Sequence, residues 1–200
     1  MAAERRAAVT RETKETQVRV KVNLDGRGTA DVTTGIGMLD HLLAQVARHG
    51  LIDITIQATG DLATDEHHTV EDIGLALGRA LDEALGKREG IVRMADATVP
   101  LDEALASVAV DLSGRGYAVV DVPWTGERIG ELPADLVGHL LWSLASEGNL
   151  TLHARVLAGV NDHHKAEALF KALGRALGAA SRPEPRLGRR APSTKGRLKS

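Results

Sequence analysis

The sequence predicts an α+β protein built as a tandem duplication of one β-β-α-β-α half. One pattern, His-His-x-x-Glu, occurs twice, at 67–71 and at 163–167. Each copy opens a helical run that contains Ala-Leu-Gly-Arg-Ala-Leu, at 76–81 and at 172–177, so both motifs recur at a spacing of 96 residues. Segments with strand-like alternation of hydrophobic and polar residues precede each copy. Such a duplication predicts an approximate two-fold axis inside one chain, with the helices on one face of each sheet.

The first half is expected to occupy residues 10–92, after a disordered N-terminal tail at 1–9. Three segments are predicted to be strands, at Thr16–Leu24, Thr29–Thr34 and Leu51–Ala58. Hydrophobic residues at helical spacing predict helices at Met38–His49 and at about Glu66–Leu85. Asp25-Gly26-Arg27-Gly28 contains two glycines that can adopt positive φ, which is typical of a hairpin turn between the first two strands.

The second half is expected to occupy residues 93–180 and to repeat this order. Its strands are predicted at Ala106–Leu112, Tyr117–Val122 and Leu150–Val156, and its last helix at about Asp162–Ala179. The turn sequence at 24–28 recurs at 112–116, a spacing of 88, and His41-Leu42-Leu43 recurs at 139–141, a spacing of 98. These changes in spacing indicate short insertions and deletions in loops. Residues 181–200 carry seven basic residues and three prolines, which predicts a basic, loop-like tail.

Composition excludes several classes of function. The net charge is −2 with neutral histidines, so the surface as a whole has no general attraction to nucleic acid or anionic lipid. The chain has no cysteine, which excludes disulfides, thiolate catalysis and cysteine-based zinc sites. No segment has the hydrophobic length of a signal peptide or a membrane span. We therefore expect a cytoplasmic protein with no nucleic-acid or membrane partner.

Eight side chains of metal-ligand type occupy equivalent positions in the two halves. They are His41, His67, His68 and Glu71 in the first half, and His139, His163, His164 and Glu167 in the second. Eight ligands suffice for two metal ions with four ligands each and open positions left over. Imidazole and carboxylate ligands suit Mn, Fe, Co, Ni or Zn, and the sequence does not choose among them.

The spacing within each motif decides which ligands share a helix face. Residues four apart on a helix lie about 40° apart in projection, whereas neighbours lie about 100° apart. The first histidine and the glutamate of each motif therefore share a face, whereas the second histidine, His68 or His164, points elsewhere. One motif is thus predicted to supply ligands to two different metal ions.

A single histidine on an amphipathic helix is most often a structural or surface residue. Here three histidine positions are kept in both halves, which favours a metal role for all of them. His49 and His153 have no histidine counterpart in the other half. The sequence leaves these two open between a functional and a surface role.

Further stretches join these motifs into a larger pattern. They are Arg11–Thr16, Gly35–His41, Arg48–Gly50, Asp65–Gly74, Asp111–Arg115, Asn161–Lys171 and Pro192–Gly196. These blocks, in this order over residues 11–196, resemble the imidazoleglycerol-phosphate dehydratase family of histidine biosynthesis. The resemblance implies the loss of water from D-erythro-imidazole-glycerol phosphate to give imidazole-acetol phosphate.

The resemblance also implies a fold, a cofactor and an assembly. The fold is the ribosomal protein S5 domain 2-like arrangement, in which two antiparallel or mixed four-stranded sheets enclose the helices. The cofactor is two Mn(II) ions per subunit, or other divalent metals, held by the repeated histidines and glutamates. These metals would grip the imidazole ring of the substrate so that the ring can expel the hydroxyl group. The assembly is a homo-oligomer of 24 subunits, with active sites at subunit boundaries.

Individual residues receive roles from the same resemblance. Glu15 is expected near the substrate as acid or base, and the other catalytic residues are expected to be His68, Glu71, His164 and Glu167. The substrate contacts implied are Glu15, His41, His49, His67, Glu71 and His163. The phosphate contacts implied are Arg93, Arg115, Lys171, Ser193 and Lys195. The tail at 181–200 is expected to close over the ligand as a lid.

The residues themselves leave two other functions open. The chain could be another di-metal hydrolase or lyase that acts on a small phosphorylated substrate. Alternatively, the histidines could bind metal only to hold subunits together, and the basic tail could bind RNA.

Overall fold

A computed structural model of the 200-residue chain describes residues 5–196 and residue 198. The first half contains β1 (Arg6–Glu12), β2 (Thr16–Asn23), β3 (Ala30–Thr33), α1 (Gly37–Gly50), β4 (Asp53–Gly60) and α2 (His67–Leu85). The second half contains β5 (Met94–Leu101), β6 (Ala104–Asp111), β7 (Tyr117–Asp121), β8 (Arg128–Ile129), β9 (Leu132–Pro133), α3 (Ala134–Glu147), β10 (Thr151–Ala158) and α4 (Asp162–Ser181). A short 3-10 helix, Pro185–Leu187, follows.

The two halves form two four-stranded mixed sheets with the same topology. The strand orders are β1-β2-β4-β3 and β5-β6-β10-β7. In each sheet the last-named strand runs parallel to its neighbour, and the other neighbours are antiparallel. The predicted α+β duplication is therefore confirmed.

The predicted hairpin between the first two strands is wrong. Strand β4 lies between β2 and β3, so that Ile56 pairs with Val20 on one side and with Val32 on the other. The turn at 25–28 is instead held by Asp53, whose Oδ1 accepts the N–H groups of Arg27 and Thr29 at 2.8 and 2.9 Å. A turn of this length can join two adjacent strands, or it can cross to a strand on the far side of a third one. The sequence of the turn does not distinguish the adjacent arrangement from the crossover.

The structure also differs from the expected disordered tail at 1–9. Strand β1 pairs with β2 along its whole length, from Arg6 opposite Asn23 to Glu12 opposite Gln17. As an edge strand it buries only Val9, so its sequence carries little hydrophobic signal. The sequence pattern does not predict strand β5 for the same reason, because its side chains alternate only between exposed and half-buried. Residues 1–4 lie outside the described residues.

Helices from opposite halves cross closely in the layer between the sheets. Helix α1 packs against α4, and α2 packs against α3. A Cβ added to Gly78 would lie 2.4 Å from the Leu144 carbonyl oxygen, and one added to Gly174 would lie 2.6 Å from the Val46 carbonyl oxygen. These glycines occupy the same position in the two Ala-Leu-Gly-Arg-Ala-Leu repeats, which explains the repeat: glycine lets the helix backbones touch. No helix in the described part of the chain is long and hydrophobic enough to span a membrane.

We expect Gly78→Ala to destabilise the protein by about 1–3 kcal/mol, because the new Cβ overpacks the crossing of α2 and α3. Gly138→Ala in α3 is the matched control, since a Cβ there meets only Val120 Cγ1, at 4.0 Å. Alanine is the better helix former, so the control should keep or gain stability. Thermal unfolding measures both variants, and equal midpoints would contradict the assigned role of Gly78.

Candidate metal centres

One candidate metal centre, the α1–α4 cluster, contains His41 from α1 and His163 and Glu167 from α4. The Nε2 atoms of both histidines lie 3.2 Å from Glu167 Oε2, and the two imidazole ring centroids are 5.6 Å apart. One ligand atom from each residue can be chosen so that all lie within 4.8 Å of one another. Two imidazoles and a carboxylate thus converge on one point, although His41 lies in the other half of the chain.

The second centre, the α2–α3 cluster, repeats this arrangement with the halves exchanged. It contains His67 and Glu71 from α2 and His139 from α3. The ring centroids of His67 and His139 are 4.6 Å apart, and His139 Nε2 lies 3.4 Å from Glu71 Oε1. The structure therefore confirms that the first histidine and the glutamate of each motif share a helix face, and it shows that the third residue of each cluster comes from the other half.

Local capping explains why each motif stands at the start of its helix. The side chain of Asn161 accepts the backbone N–H groups of His163 and His164, at 2.9 and 3.3 Å. In the first half, Asp65 accepts the N–H of His67 at 2.9 Å. Asparagine and aspartate are preferred in this role because their oxygens satisfy N–H groups that have no partner within the helix. The ligands thus lie in the first helical turns, near the surface.

The charge of Glu167 is fixed by its neighbours. Burial acts to raise the pKa of this carboxyl, but hydrogen bonds from Lys171 and His41 outweigh burial and lower the pKa to about 2. Lys171 Nζ lies 2.7 Å from Glu167 Oε1. Glu167 is therefore ionised at neutral pH, which is the state that binds a metal ion. The position of the first half that is equivalent to Lys171 is occupied by a leucine, Leu75.

The donors in both clusters fit a divalent first-row metal ion. Two imidazoles and one carboxylate leave coordination positions free for further ligands, as in catalytic metal centres. His139 Nε2 is a buried nitrogen that makes no hydrogen bond with any residue in the described ranges. Its contact with Glu71 Oε1, at 3.4 Å, is not a hydrogen bond, and a buried nitrogen that makes no hydrogen bond costs free energy unless something binds it. A metal ion would satisfy this atom.

The second histidine of each motif lies outside the clusters, as the helical spacing predicts. His68 Nδ1 lies 3.0 Å from Asp61 Oδ2, and His164 Nδ1 lies 2.7 Å from Glu103 Oε2. These hydrogen bonds to carboxylates raise the pKa of both histidines. They also orient the rings, because a carboxylate at Nδ1 leaves Nε2 as the nitrogen available to a metal.

Asp61 and Glu103 hold the second histidines of the two motifs, and the sequence pattern does not predict them. Glu103 lies in the turn between β5 and β6, 61 positions before its histidine partner. Its pKa is lowered to about 2, chiefly by the hydrogen bond with His164 and then by the N–H of Asn161. Neither carboxylate belongs to the repeated motif, so the repeat gives no signal for them.

Glu15, the predicted acid or base, lies in the exposed loop between β1 and β2. Its backbone N–H donates to Thr13 Oγ1 at 3.2 Å. The charge of Glu15 is one of the smaller causes that raise the pKa of His68, after the hydrogen bond to Asp61 and the charge of Asp61. The predicted catalytic carboxylate thus contributes to the electrostatic environment of a predicted metal ligand.

The predicted phosphate contacts have different partners in the structure. Lys171 lies at the α1–α4 cluster on Glu167. Arg93 binds both carboxylate oxygens of Asp111, at 2.7 and 3.0 Å, and donates to the Pro192 carbonyl oxygen at 2.6 Å. Arg115 is exposed in its turn. Ser193 Oγ accepts the backbone N–H of Lys195 at 3.2 Å.

The C-terminal tail is held against the segment between α2 and β5. The N–H of Val92 donates to the Arg182 carbonyl at 2.9 Å, and the N–H of Glu184 donates to the Gly90 carbonyl at 2.8 Å. The tail is thus anchored up to Pro192, where Arg93 binds it. Residues 197, 199 and 200 lie outside the described residues.

The two unmatched histidines differ in surroundings. Partial burial, followed by the charges of Lys171 and Arg175, lowers the pKa of His49, and this side chain lines a surface pocket with Arg175 and Gly178 of α4. His153 is exposed on β10, opposite Ala109 of β6. His49 therefore lies between α1 and the second half of α4, whereas His153 is on the outer face of its sheet.

Replacing Glu103 with glutamine should lower the pKa of His164, because the partner that favours its charged form is removed. The ion pair exists while histidine is protonated and glutamate is ionised. Its contribution is therefore complete below the ordinary pKa of histidine and is lost as pH rises through the raised pKa. NMR titration of the metal-free protein measures this. Asp61→Asn is the matched control, which should lower the pKa of His68 and leave the pKa of His164 unchanged. An unchanged pKa of His164 in Glu103→Gln would refute the assigned contact.

Comparisons with known proteins agree with this geometry. The family model of imidazoleglycerol-phosphate dehydratase matches residues 34–177. The dehydratase of Chloroflexus aggregans is 58% identical over 99% of this chain and 97% of that protein. The dehydratase of Methanothermobacter thermautotrophicus is 53% identical over 97% of this chain and 98% of that protein.

Solved structures agree as well. The structure of the Pyrococcus furiosus enzyme is 38% identical, covers 95% of this chain and 100% of its own, and superposes with a TM-score of 0.82. The Staphylococcus aureus structure is 33% identical, covers 88% of this chain and 97% of its own, and has a TM-score of 0.79. With its duplicated fold, its paired histidine–glutamate clusters and these relatives over nearly its full length, the chain belongs to the imidazoleglycerol-phosphate dehydratase family, the hydro-lyases of histidine biosynthesis.

Proposed function

We propose that this chain removes water from D-erythro-imidazole-glycerol phosphate, giving imidazole-acetol phosphate, with two divalent metal ions, Mn(II) in the first instance. The observation that carries the metal dependence is the pair of equivalent clusters, each with two imidazoles and one carboxylate whose ligand atoms lie within 4.8 Å. Because the internal duplication gives two such clusters, the chain fits two metal ions better than a single ion.

The α1–α4 and α2–α3 clusters would each supply three ligands to one ion. His68 and His164 lie outside both clusters of their own chain, with Nδ1 bound to a carboxylate. We infer that their Nε2 atoms complete the metal centres of neighbouring copies, which raises each set to four protein ligands. This supports the expectation of a homo-oligomer with active sites at subunit boundaries, of which the 24-mer is the form that we propose, in the cytoplasm.

The reaction requires the removal of a hydrogen that no neighbouring carbonyl makes acidic. When bound, the metal ions would hold the substrate imidazole through its nitrogens and stabilise the negative charge that the ring gains. The exposed carboxylate of Glu15, whose charge acts on His68, is suited to move the proton on the carbon chain as acid or base. The clusters would orient the ring, so that this carboxylate meets a fixed carbon atom.

Cationic side chains would bind the substrate phosphate. Lys171 lies at the edge of the α1–α4 cluster, and Arg93 holds the tail at Pro192, directly before Ser193. A phosphate dianion favours several charge-assisted donors, which Arg93, Arg115, Lys171, Ser193 and Lys195 could provide once neighbouring copies meet. In this proposal the tail closes over the phosphate as a lid.

A di-metal hydrolase would use the same ligands with a metal-bound hydroxide and would need no imidazole in its substrate. The two functions differ in what they bind. A triazole-phosphonate carries a ring that imitates imidazole and an anion that imitates phosphate. Tight competitive binding of this compound supports the dehydratase, and the absence of inhibition by it supports the hydrolase.

We expect Glu15→Gln to reduce turnover by about 10²–10⁴-fold, because it removes a group that transfers a proton, while two metal ions per chain and the assembly are retained. Glu71→Gln is the contrasting variant and should lose about one of the two ions. The measurements are product formation, elemental analysis and size by light scattering, with the triazole-phosphonate as binding probe. Full turnover by Glu15→Gln would contradict the proposed role. Loss of the oligomer alone would favour metal as subunit glue.

A further inference from the structure

The two halves differ most in the connection that leads into the helix bearing the third ligand. In the first half, residues 34–36 join β3 to α1, whereas residues 122–133 join β7 to α3 in the second. This longer segment, called the connector, accounts for nine of the ten residues by which the spacing between the repeats changes from 88 to 98. It contains the β8–β9 hairpin, whose Ile129 and Leu132 are buried. The connector is therefore a packed element of the second half without a counterpart in the first.

The connector caps α1 from the opposite half. Glu131 Oε1 accepts the backbone N–H of Met38 at 2.9 Å, and the N-cap residue of α1, Ile36, makes no side-chain capping bond. Gly37 admits this carboxylate, because a Cβ at Gly37 would lie 2.7 Å from Glu131 Oε1. The first turn of α1, which carries His41, is thus tied to the second half.

The connector also binds the start of α4. Asp162 Oδ2 accepts the N–H groups of Thr125 and Gly126, at 2.9 and 2.8 Å. Lys165, whose side chain is buried, donates from Nζ to Asp162 Oδ1 at 2.8 Å and to the Pro123 carbonyl at 2.9 Å. These bonds fix the turn of α4 that presents two ligands of the α1–α4 cluster.

A third set of contacts reaches α2 and α3. Arg128 forms an ion pair with Glu66, the residue directly before His67, and donates to the Glu131 carbonyl. The N–H of Ala134, the first residue of α3, donates to the Glu127 carbonyl at 2.9 Å. The connector therefore touches the beginning of all four helices that carry metal ligands.

We propose that the connector is a positioning element for both metal centres, in which Glu131 acts through α1 on His41 and Arg128 acts through α2 on His67. The inference rests on the proposed metal centres. Metal affinity depends on ligands that are held in place before the ion arrives, and loss of a supporting contact typically weakens binding about 10–100-fold. Because each contact joins a different helix, each should govern a different centre.

The test measures Mn(II) affinity from the EPR signal of free Mn(II), in the full chain with one centre disabled. In a Glu71→Gln background, which retains the α1–α4 cluster, Glu131→Ala should weaken Mn(II) binding about 10-fold. Glu131→Gln keeps an oxygen acceptor for the Met38 N–H and should restore affinity to within about two-fold. Gly37→Ala displaces the same carboxylate and should behave like Glu131→Ala.

The second contact is tested in a Glu167→Gln background, which retains the α2–α3 cluster. Arg128→Met should weaken Mn(II) binding by about three-fold, a smaller loss because this ion pair is half exposed. Arg79→Met removes another arginine–glutamate pair of α2, with Glu83, that does not involve the connector, and should leave affinity unchanged.

Different results overturn different parts. Unchanged Mn(II) affinity in Glu131→Ala and Gly37→Ala, or only a lower thermal midpoint, would overturn the positioning role. An equal loss of Mn(II) affinity in Glu131→Ala and Glu131→Gln would also overturn the positioning role. A parent protein that binds no Mn(II) would overturn the proposed function itself and this inference with it.

Discussion

The close crossing of helices from opposite halves is the constraint on which the rest of the structure depends. Each candidate metal cluster takes two residues from one helix and the third from a helix of the other half, so neither half contains a complete cluster. The crossing requires backbone contact, which glycine at 78 and 174 permits. The repeated Ala-Leu-Gly-Arg-Ala-Leu run is therefore linked to the chemistry, because it brings α2 to α3 and α1 to α4.

Duplication makes the two centres alike, and later differences make them unequal. Glu167 has Lys171 beside it, whereas leucine stands at the matching position of the first half. The turns between β1 and β2 and between β5 and β6 occupy equivalent places, yet Glu15 in the first is exposed and Glu103 in the second is bound to His164. In the proposed function, one carboxylate transfers the proton while its counterpart orients a metal ligand. The connector adds a third asymmetry, which joins the two centres.

Much of this was predictable from the sequence, and the parts that were not share a physical reason. Helical spacing alone predicts that Glu71 and Glu167 share a face with the first histidine of each motif and join the clusters. It also predicts that His68 and His164 point away from them. The edge strands β1 and β5 were missed because they bury little hydrophobic surface. The pairing of His41 with Glu167 joins residues 126 positions apart, and periodicity carries no information on such contacts. The same limit hid the carboxylate partners of the second histidines.

The central claim is that each metal centre is assembled across the two halves. Crystals grown with Mn(II) and measured at the manganese absorption edge test it most directly. We predict two anomalous peaks per chain, one bonded to His41, His163 and Glu167, and the other to His67, Glu71 and His139. A peak bonded only to residues of one half, or no peak in either cluster, would contradict this account.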